Sequence, residues 1–357
     1  MILQFGRESQ EIFIRPQILQ EMSTTSFDEL DVAIVDAMRS APRESWRRLG
    51  EVLGVDPVTV SRRWARMESE GVAWVAAHFS GSATPACALV EIDCAPGRIT
   101  EVVRTLAEHP QAATVKVTSG GRDVLVLAQA PHLASLSGYL LNLVGQVPGI
   151  AKVRSHVITR SALEASRWRE GALDPEQRRR LGSRPRLQPG EADGIEKTDL
   201  RIVRALHADG RMSFERLAEH VGISPMSVRR RLSRLQGAGL ITFRCDASRH
   251  LSGRSVSAVY FGSLDIQDLG AAEERIRSLP GVRAATFVAG PFNMIVDASL
   301  RTTAEVHDLE WRMGQELPAL RMQDRSVVLS MTKLLGRVLD AEGRSVRAVP
   351  LVPEENG

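Results

Sequence analysis

Cysteine is scarce in this 357-residue chain: Cys87, Cys94 and Cys245 are the only three, and none stands in a CxxC pair or a Cys/His ligand spacing. Neither a structural zinc site nor a disulfide framework is expected, and no metal or cofactor is assigned. The eight histidines are scattered and no Ser/His/Asp constellation appears. No catalytic residue is assigned, and a non-enzymatic role is expected. No window approaches the roughly 18 uninterrupted apolar residues of a membrane span. Residues 1–21 lack the basic start, apolar centre and small-residue cleavage site of a secretory signal. The expectation is a cytoplasmic protein without a membrane partner.

What is present is ordinary in bulk and unusual in arrangement. An apolar share of 43% and a charged share of 25% suit a globular protein. At roughly 150 residues per domain, the length predicts two or more domains. A 168-residue offset superimposes 30–72 on 198–240, placing Asp31 on Asp199, Arg43 on Arg211, Ser45 on Ser213 and Leu49 on Leu217. It also places Pro57 on Pro225, Arg62-Arg63 on Arg230-Arg231, Arg66 on Arg234 and Gly71 on Gly239. An internal repeat of this kind predicts a pseudo-symmetric molecule. The net charge is only +3, but residues 196–244 carry ten basic residues against five acids, whereas the first copy is offset by Asp28, Glu29, Asp31 and Asp36.

Each repeat reads as a helix-turn-helix. In the second, Ser224 is an N-cap and Pro225 suits the first helical position. Val228, Leu232 and Leu235 then share a buried face, so Ser227, Arg230, Arg231 and Arg234 turn outward. In the first, Asp56 caps, Pro57 follows, and Val60, Trp64 and Met67 point inward. Thr59, Arg62, Arg63 and Arg66 are then the outward set. An outward arginine row on a capped second helix is what a major groove requires, since arginine bridges guanine O6 and N7 or neutralises phosphate. These eight residues are the expected contacts to double-stranded DNA, the second copy leading.

After each helix-turn-helix the periodicity predicts strand, helix, strand, strand, helix, strand. In the first copy the elements are Cys87–Ile92, a helix striped by Ile99, Val102, Val103 and Leu106, strands Ala113–Thr118 and Val124–Ala128, a helix striped by Leu133, Leu136, Leu140, Leu143 and Val147, and strand Val153–Ile158. The second copy repeats the plan from Val256 to Leu329. This βαββαβ order is ferredoxin-like. The predicted class is α+β, with two winged-type helix-turn-helix domains and two ferredoxin-like domains in alternation. The expected divisions are an extension 1–26, helix-turn-helix 27–74, βαββαβ domain 75–160, linker 161–194, helix-turn-helix 195–243, βαββαβ domain 244–335 and tail 336–357. The linker opens on a short helix at Ala162–Arg169, and its Arg178-Arg179-Arg180, Arg184 and Arg186 read either as phosphate contacts or as a solvated run. A short strand is expected at Val346–Val352.

Leu30-Asp31, Arg63-Trp64 through Gly71-Val72, and, more closely, Asp199, Gly210-Arg211, Leu217-Ala218, Ser224, Arg231, Leu235 and Gly239-Leu240-Ile241 resemble the leucine-responsive/AsnC family of bacterial and archaeal transcription regulators. The resemblance runs from about residue 27 to 335, twice over. It implies DNA binding, sensing of an amino acid or other small metabolite, homo-oligomerisation through the sensing domains, and nucleoid association. It also implies an effector site at the turn between the second and third strands, here Gly120 and Asp123, then Gly290 and Asn293; those glycines equally build plain hairpin turns. Two other readings stand. Sirohaem decarboxylases resemble the family in fold and use His and Arg after the wing, where Arg249-His250 lies in copy two and His78 without an adjacent arginine in copy one. A sensing or scaffold protein with vestigial heads is the third.

Overall fold

The computed structural model describes residues 27–80, 83, 85–163, 171–182 and 195–351. The first copy opens with α1 (Glu29–Ser40), α2 (Trp46–Leu53), α3 (Pro57–Ser69) and β1 (Ala73–Phe79). It continues with β2 (Ala86–Cys94), α4 (Ile99–Glu108), β3 (Ala112–Thr118), β4 (Val124–Ala130), α5 (Leu133–Asn142) and β5 (Ile150–Leu163). After α6 (Pro175–Leu181) the plan recurs as α7 (Lys197–Ala208), α8 (Phe214–Val221), α9 (Pro225–Gly237) and β6 (Ile241–Ala247). Then follow β7 (Val256–Ser263), α10 (Leu269–Ile276), β8 (Val282–Ala289), β9 (Met294–Leu300), α11 (Glu305–Glu316) and β10 (Arg321–Leu334). A terminal hairpin, β11 (Arg337–Leu339) and β12 (Ser345–Ala348), completes the described chain. Ala162 and Leu163, expected to open a helix, instead end β5, where β5 pairs with β8; the rest of that helix (164–169), the expected 1–26 extension, Arg184 and Arg186 lie outside the described residues.

Local chemistry explains the helix-turn-helix boundaries. Asp28 caps α1 in a reciprocal box with Asp31, Ser45 and Ser213 cap α2 and α8, and Asp56 and Ser224 cap α3 and α9 with proline next in line. The turn between the paired helices needs a left-handed residue, supplied by Gly54 at φ 70° and Gly222 at φ 76°.

Along the chain the helical modules and sheet units follow one another, but in space they merge in pairs. Strands β1 and β6 pair antiparallel, from Ala73 opposite Ala247 to Phe79 opposite Ile241. The ribbon so formed lets both helical modules bury one continuous core, from Ile34 and Leu49 to Leu217 and Leu235. The expected pair of separate winged domains is thus one two-headed body. Its halves also exchange arginines. Arg43 donates to the carbonyls of Gly210 and Met212 (the latter 3.0 Å), and Arg211 donates to those of Pro42 at 2.7 Å and Glu44 at 2.9 Å. Each guanidinium also covers an aromatic ring of the other module, Arg43 over Phe214 and Arg211 over Trp46.

The sheet strands run β3-β4-β2-β5-β8-β9-β7-β10, and β10 pairs again with β3, so eight antiparallel strands close into a barrel. Within each copy the order is the second, third, first and fourth strand. Helices α4 and α5 cover the outside of the first copy, burying Val90, Ile92, Val102 and Leu106. Helices α10 and α11 do the same for the second through Tyr260, Phe287 and Leu309. Alternate side chains face inward, where Leu125, Val259, Phe261, Val288 and Ile295 pack. The predicted stripe on α5 holds only in part: the helix stops at Asn142, Leu133 and Leu143 are exposed, and Leu136, Tyr139 and, beyond the helix, Val147 are buried.

The linker, expected to be loose, is docked, and the strand expected at Val346–Val352 is seen as β12 at Ser345–Ala348, also docked. In the linker, Leu173 is buried in the helical core and α6 leans on α1 and α2, with Arg48 donating to the Arg180 carbonyl at 3.0 Å. In the tail, the hairpin straps the barrel to the helical body: Ser345 N–H donates to the Gly71 carbonyl at 2.7 Å, and Arg337 donates to those of His207 and Ala208. The arginine exchange makes a first prediction. Arg43→Ala and Arg211→Ala each strand two carbonyls bonded to a charged donor, a loss of about 2–3 kcal/mol that a urea titration will read as a lower midpoint. An unchanged midpoint for both would rule the exchange out as what holds the heads together.

Candidate DNA-reading helices and the sensing barrel

The two helices α3 and α9 stand at equivalent places in their modules, buried on one face by Val60, Trp64 and Met67 or by Val228, Leu232 and Leu235. The structure divides the eight outward residues into two sets. Arg62 and Arg230 are exposed and hold no ion pair among the described residues. Thr59 and Ser227 lie half-buried beside them at the helix starts, Ser227 Oγ accepting from Ser224 Oγ at 2.9 Å. Val58 and Met226, which sequence reasoning passed over, share that end at 72% and 77% exposure.

The other four arginines are engaged within the molecule. Arg63 donates to Asp28 at 2.7 Å and to Asp31 at 3.2 Å, and Arg66 to Asp31 at 2.9 Å. Arg231 donates to Glu196 at 2.9 Å and to Asp199 at 3.1 Å, while Arg234 bonds Asp199 as well. Asp31 and Asp199 are fully buried, and a buried carboxylate is tolerable only when paired. Each pair of arginines therefore staples its recognition helix to the first helix of its module. The hydrogen bond from Arg63 holds the Asp28 carboxyl below its ordinary range and raises the guanidinium in turn. Periodicity turned these arginines outward; the signal for their partners was the match of Asp31 with Asp199, 32 residues upstream of Arg63 and of Arg231.

In the barrel, the expected effector residues touch or bond neighbouring strands and their ends. Gly120 sits at φ +90°, and a Cβ there would touch Ser326 Oγ at 3.5 Å on β10. The Asp123 carboxylate accepts the Cys94 N–H at 2.7 Å. Asn293 accepts from Leu264 N–H at 2.9 Å and donates to its carbonyl at 2.7 Å. A Cβ on Gly290 would lie 2.6 Å from His156 Nδ1. At this end of the barrel interior lies a charged cluster that sequence reasoning missed. Glu91 receives Arg122 and His156, the latter at 2.6 Å, and Arg122 also reaches Asp324 and, at 2.8 Å, Ser326. Burial opposes charge on Glu91, but the bonds from His156 and Arg122 outweigh it and hold the carboxyl at about 2.

His78 stacks edge-on with His207 at 5.1 Å, and burial pushes it well below the ordinary imidazole range. The side chain of His250 lies outside the described residues. Burial raises the Cys87 and Cys94 thiols to about 11, so neither is a thiolate near neutrality. Among the described residues no helix is long and apolar enough to cross a membrane.

Comparison with known proteins agrees with this geometry. The AsnC-type helix-turn-helix domain model matches residues 27–68 and again 195–236, and the Lrp/AsnC ligand binding domain model matches 87–168. The helix-turn-helix-type transcriptional regulator AldR of Mycolicibacterium smegmatis is 33% identical over 119 residues, which are 32% of this chain and 70% of that protein. The proline dehydrogenase transcriptional activator of Rhizobium radiobacter is 28% identical over 155 residues, 41% of this chain and 96% of its own. Each spans most of its own length on well under half of this one, as a single copy of the tandem would. Among solved structures, the siroheme decarboxylase NirDL superimposes with a TM-score of 0.59 at 12% identity, covering 91% of this chain and 96% of its own. That likeness is one of fold alone.

The Glu91 cluster sets an acid limit. A carboxyl at about 2 in the folded chain and near 4.3 when unfolded stabilises the fold above that higher value and loses the contribution as pH falls toward 2, on the order of 3 kcal/mol in all. Melting temperatures measured from pH 7 down to pH 3 are expected to fall steeply for the native chain. Glu91→Gln should start lower at pH 7 and fall less; parallel curves would refute the assignment.

Proposed function

This chain belongs to the Lrp/AsnC family of transcriptional regulators, and on that premise we propose that it is a sequence-specific DNA-binding regulator acting as a covalent pseudo-dimer. One observation carries the reading. Two capped recognition helices are held on a single body by the β1–β6 ribbon and the arginine exchange, each presenting in its second turn an exposed arginine that holds no ion pair among the described residues. Such a body suits two half-sites about one helical turn, or a multiple, apart. Because the two heads differ, the operator is an imperfect palindrome.

Arg230 and Ser227 are the principal base-reading pair, and Arg62 and Thr59 the second. Arg231, Arg234, Arg63 and Arg66 act mainly by positioning their helices, with outer edges available to phosphate. The turns at Gly120–Asp123 and Gly290–Asn293 are proposed as effector contacts through rim and backbone, since the Asp123 and Asn293 side chains are already bonded. An amino acid or other small metabolite is the proposed effector class. It can change DNA affinity only by binding two arrangements of the molecule unequally. The exposed Leu141 of α5 and Trp311 of α11 support further assembly through the sensing barrel. The setting is the cytoplasm, in association with the nucleoid.

A tetrapyrrole decarboxylase is the second reading, favoured by the whole-chain likeness to NirDL. Its test is a visible absorbance scan of the purified protein and a titration with sirohaem; a bound tetrapyrrole band together with no DNA affinity would establish it.

Fluorescence anisotropy on DNA from the chain's own upstream region, across a salt series, tests the main reading. Arg230→Ala should weaken binding about tenfold or more, as loss of a bidentate base contact worth ~1–3 kcal/mol predicts. Arg62→Ala should weaken it less, and both should relax base preference at one position of their half-site with little change in the salt slope. Arg231→Ala should lower the melting temperature more than the affinity. Unaltered binding by both exposed-arginine variants, or a footprint of one undivided half-site, would sink the two-headed model.

A further inference from the structure

The opposite end of the barrel interior holds a cavity of about 140 Å³. It lies where the barrel meets the helical body: β6 contributes Arg244, and Leu334 and Leu335 enter from the end of β10, just before the strap. Its walls are mostly apolar, with Leu127, Ile158, Val259 and Ile295 prominent, and draw on both copies. Set into them are three cations, Lys116, Arg244 and Arg283, and one carboxylate, Asp297. Lys116 bonds Asp297 across the interior. Arg244 is bidentate on Asp246 at 2.6 and 2.7 Å, and Arg283 approaches the same carboxylate at 3.7 Å.

We propose that this cavity binds a short aliphatic monocarboxylate, its head among Lys116, Arg283 and Arg244 and its tail on the leucine and isoleucine wall. Size sets the first limit, because an apolar cavity of about 150 Å³ accommodates benzene, so the ligand has roughly six to eight heavy atoms. Charge sets the second. Cations outnumber carboxylates in the lining, and in so poorly solvated a space an anion is drawn in while a further cation is opposed. An α-ammonium group would add such a cation beside the other three, and the carboxylate that could receive it is already bound to Lys116. The site therefore selects a simple carboxylate over the corresponding amino acid. The turns at Gly120–Asp123 and Gly290–Asn293 are not part of its lining, which stops two residues short of them at Leu125 and Ile295.

The site also has a route to the heads. Arg244 and Asp246 share one face of β6, while Phe243 and Cys245 on the other face belong to the helical core. A carboxylate competing for Arg244 and Arg283 loosens their hold on Asp246 and with it the contact between barrel and ribbon. This regulatory consequence rests on the DNA-binding reading; the binding itself does not.

Isothermal titration and thermal melting of the full chain are run with isovalerate, with its neutral isostere isovaleramide, and with valine, the α-amino acid of the same carbon skeleton. Isovalerate should bind and raise the melting temperature by several degrees, and the amide and valine should each bind about tenfold more weakly or worse. Ala284→Leu, which fills the cavity from β8, should abolish isovalerate binding with circular dichroism unchanged. Should that variant fail to fold, Arg283→Met serves in its place and should weaken isovalerate but not isovaleramide. Equal binding of acid and amide, isovalerate binding that survives both variants, or no binding by folded protein at millimolar concentration would each overturn the proposal. No DNA enters these measurements, so failure here is distinguishable from failure of the DNA-binding reading.

Discussion

Three strand edges in this molecule find their partners only in the other copy. β1 needs β6, β5 needs β8, and β10 needs β3. An open edge is a row of unmet donors and acceptors that invites pairing with any available strand. Here the second copy is covalently at hand, and each edge is closed by it. From that closure the other features follow. The barrel acquires an interior because its two sheets join at both margins, and the helical modules acquire a common core because their strands form one ribbon. The recognition helices are placed relative to each other by the same ribbon, reinforced by Arg43 and Arg211.

Covalent duplication has also allowed the copies to diverge where an identical pair could not. Glu91, Arg122 and His156 of the first copy correspond, 170 residues on, to Phe261, Phe292 and Ser326 of the second. The two sets meet inside the barrel, where Arg122 lies 4.0 Å over the Phe261 ring and His156 packs against Phe292 at 4.6 Å. In two identical copies Arg122 would face the other copy's glutamate and His156 its arginine, crowding two full charged sets into one poorly solvated interior where each charge is costly to desolvate. One charged copy against one aromatic copy satisfies the same space. The heads differ in the same spirit. A Cβ on Gly210 would collide with Val75 of the ribbon, whereas the matching position holds Pro42, and Gly50 stands where Ala218 does because a Cβ there would strike the Val55 carbonyl.

Much of the secondary structure was legible from the chain. Caps at Ser45, Asp56, Ser213 and Ser224, the glycine turns at Gly54 and Gly222, and the paired periodicities of 3.6 and 2 located nearly every helix and strand to within a few residues. The ribbon strands were not read, because Ala73–Phe79 and Ile241–Ala247 are buried too evenly to show alternation. A strand was expected in the tail but not its hairpin partner β11, and α6 was not read at all, because each is polar, short and docked on distant residues rather than marked by an apolar stripe of its own. Of the site, the outward face of each recognition helix was legible, but its division into stapled and exposed arginines was not.

The sequence by itself determined the repeat, the order of elements, which face of each helix is apolar, and the family to which the chain belongs. These depend on neighbours within a few residues, or on direct comparison of one stretch with another. Tertiary structure alone decided that Arg231 and Arg234 meet Asp199 while Arg230 stays exposed, that Lys116 finds Asp297 across the barrel, and that two sheets enclose one interior. A guanidinium is equally outward in a periodic diagram whether it meets water or a carboxylate. Which it meets depends on what a segment far away in the chain brings to that face when the edges close.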